Sequence, residues 1–518
     1  MPFNTENHLI RIEDSPRVFN RMKILFTLMI LLAMELMAVS SINVALPTIE
    51  TAIGASNTSM QWMLSGYALL FGMVLVAAGR IGDVLGRGTL WIIGVAIFSL
   101  GSLACGVVDN PHLLNLARIA QGFGAGVYNP QTIGMIQQYF KGQARAKAFS
   151  VFGLVISASV TAGPLLTGII IRMVGPENGW RASFIWNFPL GLLGIVLALR
   201  WFPFESERRR ARERREGTAR ARHLDLDPLA ITLLMAAVLC VMLPFMIKTG
   251  PSFALLAPGA ALMWLWVRWE RSYKTRGRQP MVDLALFRHR SFTHATAISG
   301  MQFLGGTSVF VLVALFIQNG MGASALAAGM IGLPNALVSA VTSIATGRMA
   351  LAKGRTIVIV GLSCMVAGVV LTAATAAFTI EHGYSFWWLM APLTLIGFGN
   401  GCMTGCIQTL SMIEIPPAEG GVAGGVKSTA ERITTAIGNA VTTAIFYSLV
   451  SSGWTRALTS AYAAITVFIA ISLALAVFDR VSLGRGALKE SGVGAEPLDE
   501  RRHGRGERAS RSHVHRLR

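Results

Sequence analysis

Charge is scarce in this chain. Only 14% of its 518 residues are Asp, Glu, Lys or Arg, where a soluble protein of that length carries about a quarter. A soluble fold needs polar cover for its surface, so an ordinary water-soluble domain is excluded. Cysteine is scarce too. Cys105, Cys240, Cys364, Cys402 and Cys406 all lie in apolar stretches without metal-site spacing, and they read as small buried residues. No clustered catalytic set is present: His294 stands alone at the start of an apolar run. No metal, cofactor or enzymatic reaction is therefore expected. The first twenty residues mix Arg11, Glu13, Asp14 and Arg17 and contain no small-residue cleavage site. That argues against a cleaved signal peptide and makes the first apolar run the insertion signal.

Apolar residues fill the space that charge leaves. They make up 53% of the chain and gather into runs of about twenty, the length that crosses a bilayer core. Fourteen runs are found, at roughly 22–46, 60–78, 89–108, 112–138, 146–172, 181–202, 227–247, 251–269, 291–318, 324–350, 355–378, 385–412, 425–450 and 457–478. A backbone in lipid has to satisfy its own hydrogen bonds, so these runs are helices. The expectation is an all-α membrane protein with 14 transmembrane helices.

The formal net charge is +19, and its placement decides its meaning. Cations cluster after even-numbered runs: Arg80 and Arg87, then Lys141, Arg145 and Lys147, then an arginine cluster, then Arg271, Lys274, Arg276 and Arg278, then Lys353 and Arg355. Connections after odd-numbered runs hold Glu50, Asp109, Glu177 and Glu381, with Lys248 and Arg456 as exceptions. Such asymmetry places both termini in the cytoplasm of a cell-membrane protein. It explains the basic balance without a nucleic-acid partner. The segment Glu205–His223 and the tail Arg501–Arg518 are basic and lack an apolar face. Each reads as a solvated segment; contact with anionic lipid is the sharper alternative.

The two ends of the chain repeat each other. Gly122-Phe123-Gly124-Ala125-Gly126 in run four returns as Gly397-Phe398-Gly399-Asn400-Gly401 in run twelve, and the same 275-residue offset carries Gly163 onto Gly438. Gly79-Arg80 returns as Gly347-Arg348. This predicts an N-terminal six-helix bundle over 22–202, a basic linker over 203–226, two inserted helices over 227–269, a loop over 270–290 and a C-terminal six-helix bundle over 291–478. Residues 1–21 and 479–518 are then cytoplasmic ends. Repeats of this kind mark transporters, with the substrate site where the halves meet.

Three motifs carry mechanism. Between runs two and three stands Gly79-Arg80-Ile81-Gly82-Asp83-Val84-Leu85-Gly86-Arg87-Gly88. Its glycines permit a tight connection, and Asp83 and the arginines can pair with each other or with helix ends. This resembles the loop signature of the major facilitator superfamily, although Gly88 stands where that signature has a basic residue. Run four holds Arg118, and a cation within a membrane helix faces a polar cavity or partner or snorkels to an interface. It matches the family's second motif, whose arginine is associated with proton coupling. Run five contains Gly163-Pro164 and Gly168. It is similar to the antiporter motif, with Ser159 and Thr167 replacing glycines.

Asn43-Val44-Ala45-Leu46-Pro47, Trp62, Trp180-Arg181, Asn187-Phe188-Pro189, Pro280, Asp283 and Gln318 extend the likeness over roughly residues 22–478. Together with the helix count, they resemble the fourteen-helix drug/proton antiporter family. That family often has an aspartate in run one where this chain has Ala38. Glu35 lies three residues earlier, on about the same helix face. A carboxylate in lipid without a partner favours its neutral, proton-bearing form, so Glu35 is the candidate proton carrier, modulated by Arg118. A Glu35–Arg118 ion pair or a hydrated Glu35 are the structural alternatives. Asn43, Gln121, Gln318, Glu431 and Arg432 are candidates for the cargo cavity, and Gln302, Asn335, Asn400 and Gln408 are amides that line it or join helices. The resemblance implies proton-coupled export of small amphipathic molecules: drugs, antibiotics or metabolites. A non-drug metabolite exporter, a membrane-embedded enzyme and a sensor are the alternatives.

Overall fold

The computed structural model describes residues 9–11, 18–205, 207–208, 226–247 and 249–490, and the side chains of these except at residues 11, 43, 47, 57, 176, 325, 326 and 483–490. Most of the basic linker, the tail beyond 490 and the Asn43 side chain therefore lie outside the described residues. A short antiparallel pair, β1 (Leu9–Arg11) with β2 (Val18–Asn20), precedes the helices and sets Leu9 opposite Asn20.

The regular elements that follow among the described residues are helices. The first half contains α1 (Arg21–Ile53), α2 (Asn57–Leu85), α3 (Arg87–Val107), α4 (Pro111–Tyr139), α5 (Gly142–Val174), α6 (Pro176–Ile185) and α7 (Asn187–Trp201). Then come α8 (Pro228–Ile247) and α9 (Leu256–Thr275). The second half contains α10 (Arg290–Leu315), α11 (Ala325–Met330), α12 (Leu333–Gly347), α13 (Ala350–His382), α14 (Met390–Ser411), α15 (Gly420–Leu449) and α16 (Trp454–Glu490).

Among the described residues, 13 spans are long and apolar enough to cross a membrane. The fourteenth crossing is α4, whose Arg118, Gln121, Asn129, Gln131 and Gln137 lower its hydropathy. It is a 29-residue helix with those side chains buried, Gln137 against the second half and the others inside the first. Two crossings are broken, and proline explains both. Pro189 and Pro334 have no N–H to give to the carbonyl four residues earlier. The helix accordingly restarts at Asn187 after α6 and at Leu333 after α11. An even number of crossings puts the start of α1 and the end of α16 on the face that carries the α2–α3 loop, called the loop face below.

The sequence repeat is a packing repeat. Gly122 and Gly126 of α4 press against the Tyr67 and Phe71 carbonyls of α2, while Gly124, on the other side, meets Gly94 and Phe98 of α3. In the second half Gly397 and Gly401 of α14 press against Asn335 and Ser339 of α12, while Gly399 meets Gly361 and Met365 of α13. Each such glycine lets a neighbouring backbone approach where a Cβ would collide. Gly163 against Met37 and Ser40 of α1 is mirrored by Gly438 against Leu304 of α10.

Helix α8 lies beside α2 and α15, and α9 packs on α8. Asp227 caps α8 by accepting from the Ala230 N–H at 3.1 Å and from Trp269 Nε1 at 2.9 Å, which ties the pair together. The return to α10 is fixed by Asp283, which accepts from the Ala285 N–H at 2.9 Å and pairs with Lys274 at 2.6 Å. Partial burial would raise the Asp283 carboxyl, but Lys274 and the Ala285 N–H outweigh it and hold the group below the ordinary carboxylate value.

Candidate functional site

The two halves are joined at the loop face. The Asp83 carboxylate accepts from the backbone N–H groups of Gly421 (3.2 Å) and Val422 (3.0 Å), the opening amides of α15. An anion suits that position because a helix N-terminus carries unpaired N–H groups and the positive end of the dipole. Arg87 pairs with Asp83 at 2.6 Å and donates to the carbonyls of Gly134 (2.7 Å) and Pro417 (2.6 Å). Gln137 donates to Met412 and Ile415, Gln143 to Arg348, and Ser343 to Ser150. Gly79 lies so close to the Gly421 carbonyl that a Cβ would sit 2.4 Å from it. Arg80 is half-buried beside this contact.

Gly88 has a structural reason for lacking a side chain. The Glu207 carboxylate accepts from the N–H of Gly88 (2.8 Å), the N–H of Thr89 (3.1 Å) and the Thr89 hydroxyl (2.7 Å). A Cβ at Gly88 would meet the Phe204 ring at 2.9 Å, and one at Gly86 would meet Glu207 at 2.5 Å. An acid from the end of the sixth crossing thus caps α3 where the superfamily signature has a basic residue.

Away from the loop face the halves part around a cavity of about 460 Å³. Its first wall comes from α1 and α5 and is largely apolar: Val44, Phe152, Ile156, Val160 and Pro164, with Ser40, Ser157 and Thr161. The second-half wall carries the amides Gln302, Gln318, Asn335, Asn400 and Gln408. Its two charged groups are Lys427 and Glu431, one helical turn apart on α15, and they form an ion pair. Ser299 donates to the same Glu431 oxygen. Ser157 and Ser339 meet across the halves at 2.7 Å at the edge of this space.

The other candidate residues lie elsewhere. Glu35 is 1% exposed inside the first half, away from the cavity lining. It accepts from Asn129 Nδ2 at 3.1 and 3.3 Å. Arg118 is also 1% exposed. It donates to the Met63 carbonyl at 3.2 Å and to Gln121, and its guanidinium lies 4.5 Å over the Tyr67 ring. The structure does not bring Arg118 and Glu35 together. The Glu35 partner, Asn129, is eleven residues further along α4, roughly 16 Å away at the helical rise. Arg118 neither snorkels nor pairs with an acid among the described residues.

Gln121 and Arg432 are not among the residues that line this cavity. Gln121 is fully buried between Arg118 and Ser102, and Arg432 lies 4.5 Å over Phe71 on the α2 side. In the antiporter motif, Gly163 makes the α1 crossing and Pro164 lines the cavity, but nothing lies near Gly168. The sequence reading missed Lys427. Its i,i+4 spacing to Glu431 was the available signal.

Two helical halves around a central cavity, closed at one face, define a multi-pass membrane transporter of small molecules. The Major Facilitator Superfamily profile matches residues 28–439, and the chain belongs to that family. It is 29% identical over 425 residues to the "Probable actinorhodin transporter" of Streptomyces coelicolor, covering 81% of this chain and 71% of that protein. It is 28% identical over 410 residues to "Multidrug resistance protein Stp" of Mycobacterium tuberculosis, covering 77% and 71%. The solved human organic anion transporter MFSD10 shares the fold with a TM-score of 0.62 at 14% identity, covering 88% of this chain and 99% of that one.

Proposed function

We propose that the protein exports small amphipathic molecules across the cell membrane in exchange for protons, the two bundles rocking to open the cavity to each side in turn. The observation that carries this reading is the cavity, which pairs an apolar wall with an amide-rich one and is closed at the loop face. The loop face is the cytoplasmic one, because the cations gather there, and both termini lie with it. The arrangement described is then the outward-facing state. The names of the relatives, one a multidrug resistance protein and one a probable transporter of actinorhodin, support a cargo among antibiotics or secreted metabolites.

Glu35 carries the exchanged proton in this reading. It is buried, is held by a neutral amide, and has no ion-pair partner among the described residues. Asp83 and Arg87 with Gly79, Arg80 and Gly86 form the cytoplasmic gate. Arg118 fixes the α2–α4 packing, and Gly163 with Pro164 shapes the α1–α5 wall.

Efflux in proteoliposomes under an imposed pH gradient tests the proposal, with a pH-sensitive dye on the side opposite the cargo. Cargo-dependent proton flux is expected. Cargo movement that ignores the gradient would contradict it.

A further inference from the structure

Gln408 sits on α14 one turn before that helix ends at the loop face, so it lies toward the closed end of the cavity. It is 4% exposed, and its Nε2 is buried without a hydrogen-bond partner among the described residues. Its neighbours in the wall are paired. Asn335 Nδ2 donates to the Leu393 carbonyl at 2.8 Å, and Gln302 Nε2 donates to Asn400 Oδ1 at 3.3 Å. Buried amide N–H groups are normally satisfied, and an unsatisfied one calls for an acceptor.

The rest of the cavity limits what that acceptor belongs to. Lys427 and Glu431 neutralise each other, so the lining offers no net charge to balance an ion. The apolar surface includes the rings of Phe152, Phe303 and Phe310, which favour flat aromatic faces.

From this we propose that Gln408 anchors the cargo, its amide turning from the buried position to donate Nε2–H to a carbonyl oxygen, and that the preferred cargo is an uncharged, carbonyl-bearing aromatic compound. The inference rests on the reading of this cavity as the cargo site. It does not depend on proton coupling.

Three probes on one tricyclic skeleton test it: 9-fluorenone, fluorene without the oxygen, and 9-aminofluorene as the cation. Binding is measured on purified protein in nanodiscs without a pH gradient, and empty nanodiscs correct for partition into lipid. The protein is expected to bind fluorenone about tenfold more tightly than fluorene, the scale of one hydrogen bond from a buried donor. Q408L should erase that preference. Q408M, an unbranched side chain of similar length without the donor, should erase it too and guards against a packing fault in Q408L. Equal binding of fluorenone and fluorene, no binding of fluorenone, or a fluorenone preference that survives both substitutions would overturn the proposal. Failure of proton-driven efflux alone would leave this binding preference standing, so the two readings fall separately.

Discussion

Asp83 of α2 caps the first turn of α15, accepting from the Val422 N–H at 3.0 Å, so this carboxylate is one of the contacts that hold the two halves together at the loop face. Removing its charge weakens both the cap and the Arg87 pair. Loss of a cap costs about 1 kcal/mol, and loss of a charge-assisted bond adds to that. D83N should shift the equilibrium toward the loop-face-open state by about tenfold. Spin labels at the exposed positions Lys141 and Ala418 report it. A longer distance is expected in D83N, and an unchanged distribution would refute the gating role.

The helix crossings rank the glycines. A Cβ at Gly438 would fall 1.7 Å from the Leu304 carbonyl, while nothing lies within 4 Å of one at Gly168. Overpacking of this kind costs about 1–3 kcal/mol or more. G438A should lower the thermal midpoint of the purified protein, and G168A should leave it near wild type.

Glu207 makes the α2–α3 loop depend on a residue 119 positions from Gly88. E207A releases three hydrogen bonds, and G88A displaces the same contact from the other side. Both should open the loop face in the same direction as D83N but less far. A normal label distance in both would mean that the contact is incidental.

The Lys427–Glu431 pair predicts a non-additive result. K427M alone leaves a buried carboxylate unpaired, at a cost of about 3–5 kcal/mol for a fully buried pair. Glu431 keeps some exposure to the cavity, so the lower end applies. The double variant K427M/E431Q removes both charges and should recover most of the lost thermal stability. Equal destabilisation in single and double variants would contradict the pairing.

Much of this architecture was legible in the sequence because lipid allows so few solutions. Runs of about twenty apolar residues have to be helices, and glycines at a fixed offset have to pack alike if the halves share a fold. The amides Gln302, Gln318, Asn335, Asn400 and Gln408 stood out as polar groups that lipid would reject. What the sequence hid was direction. Arg432 and Gln121 are as polar as the cavity residues, yet Gln121 is buried inside the first half and Arg432 lies over Phe71 of α2, a matter of rotation about the helix axis. Lys427 lay at the edge of an apolar run, where a lysine passes for a loop residue. Glu207 and Gly88 explain each other only once the chain is folded.

The central claim is exchange of cargo for a proton carried by Glu35, and proteoliposomes bearing E35Q test it most directly. Two quantities are read from the same vesicles: cargo accumulation driven by a pH gradient, and cargo-for-cargo exchange at equal pH. E35Q should abolish gradient-driven accumulation while exchange persists, since the cavity lies apart from Glu35. Undiminished gradient-driven transport in E35Q would contradict the account.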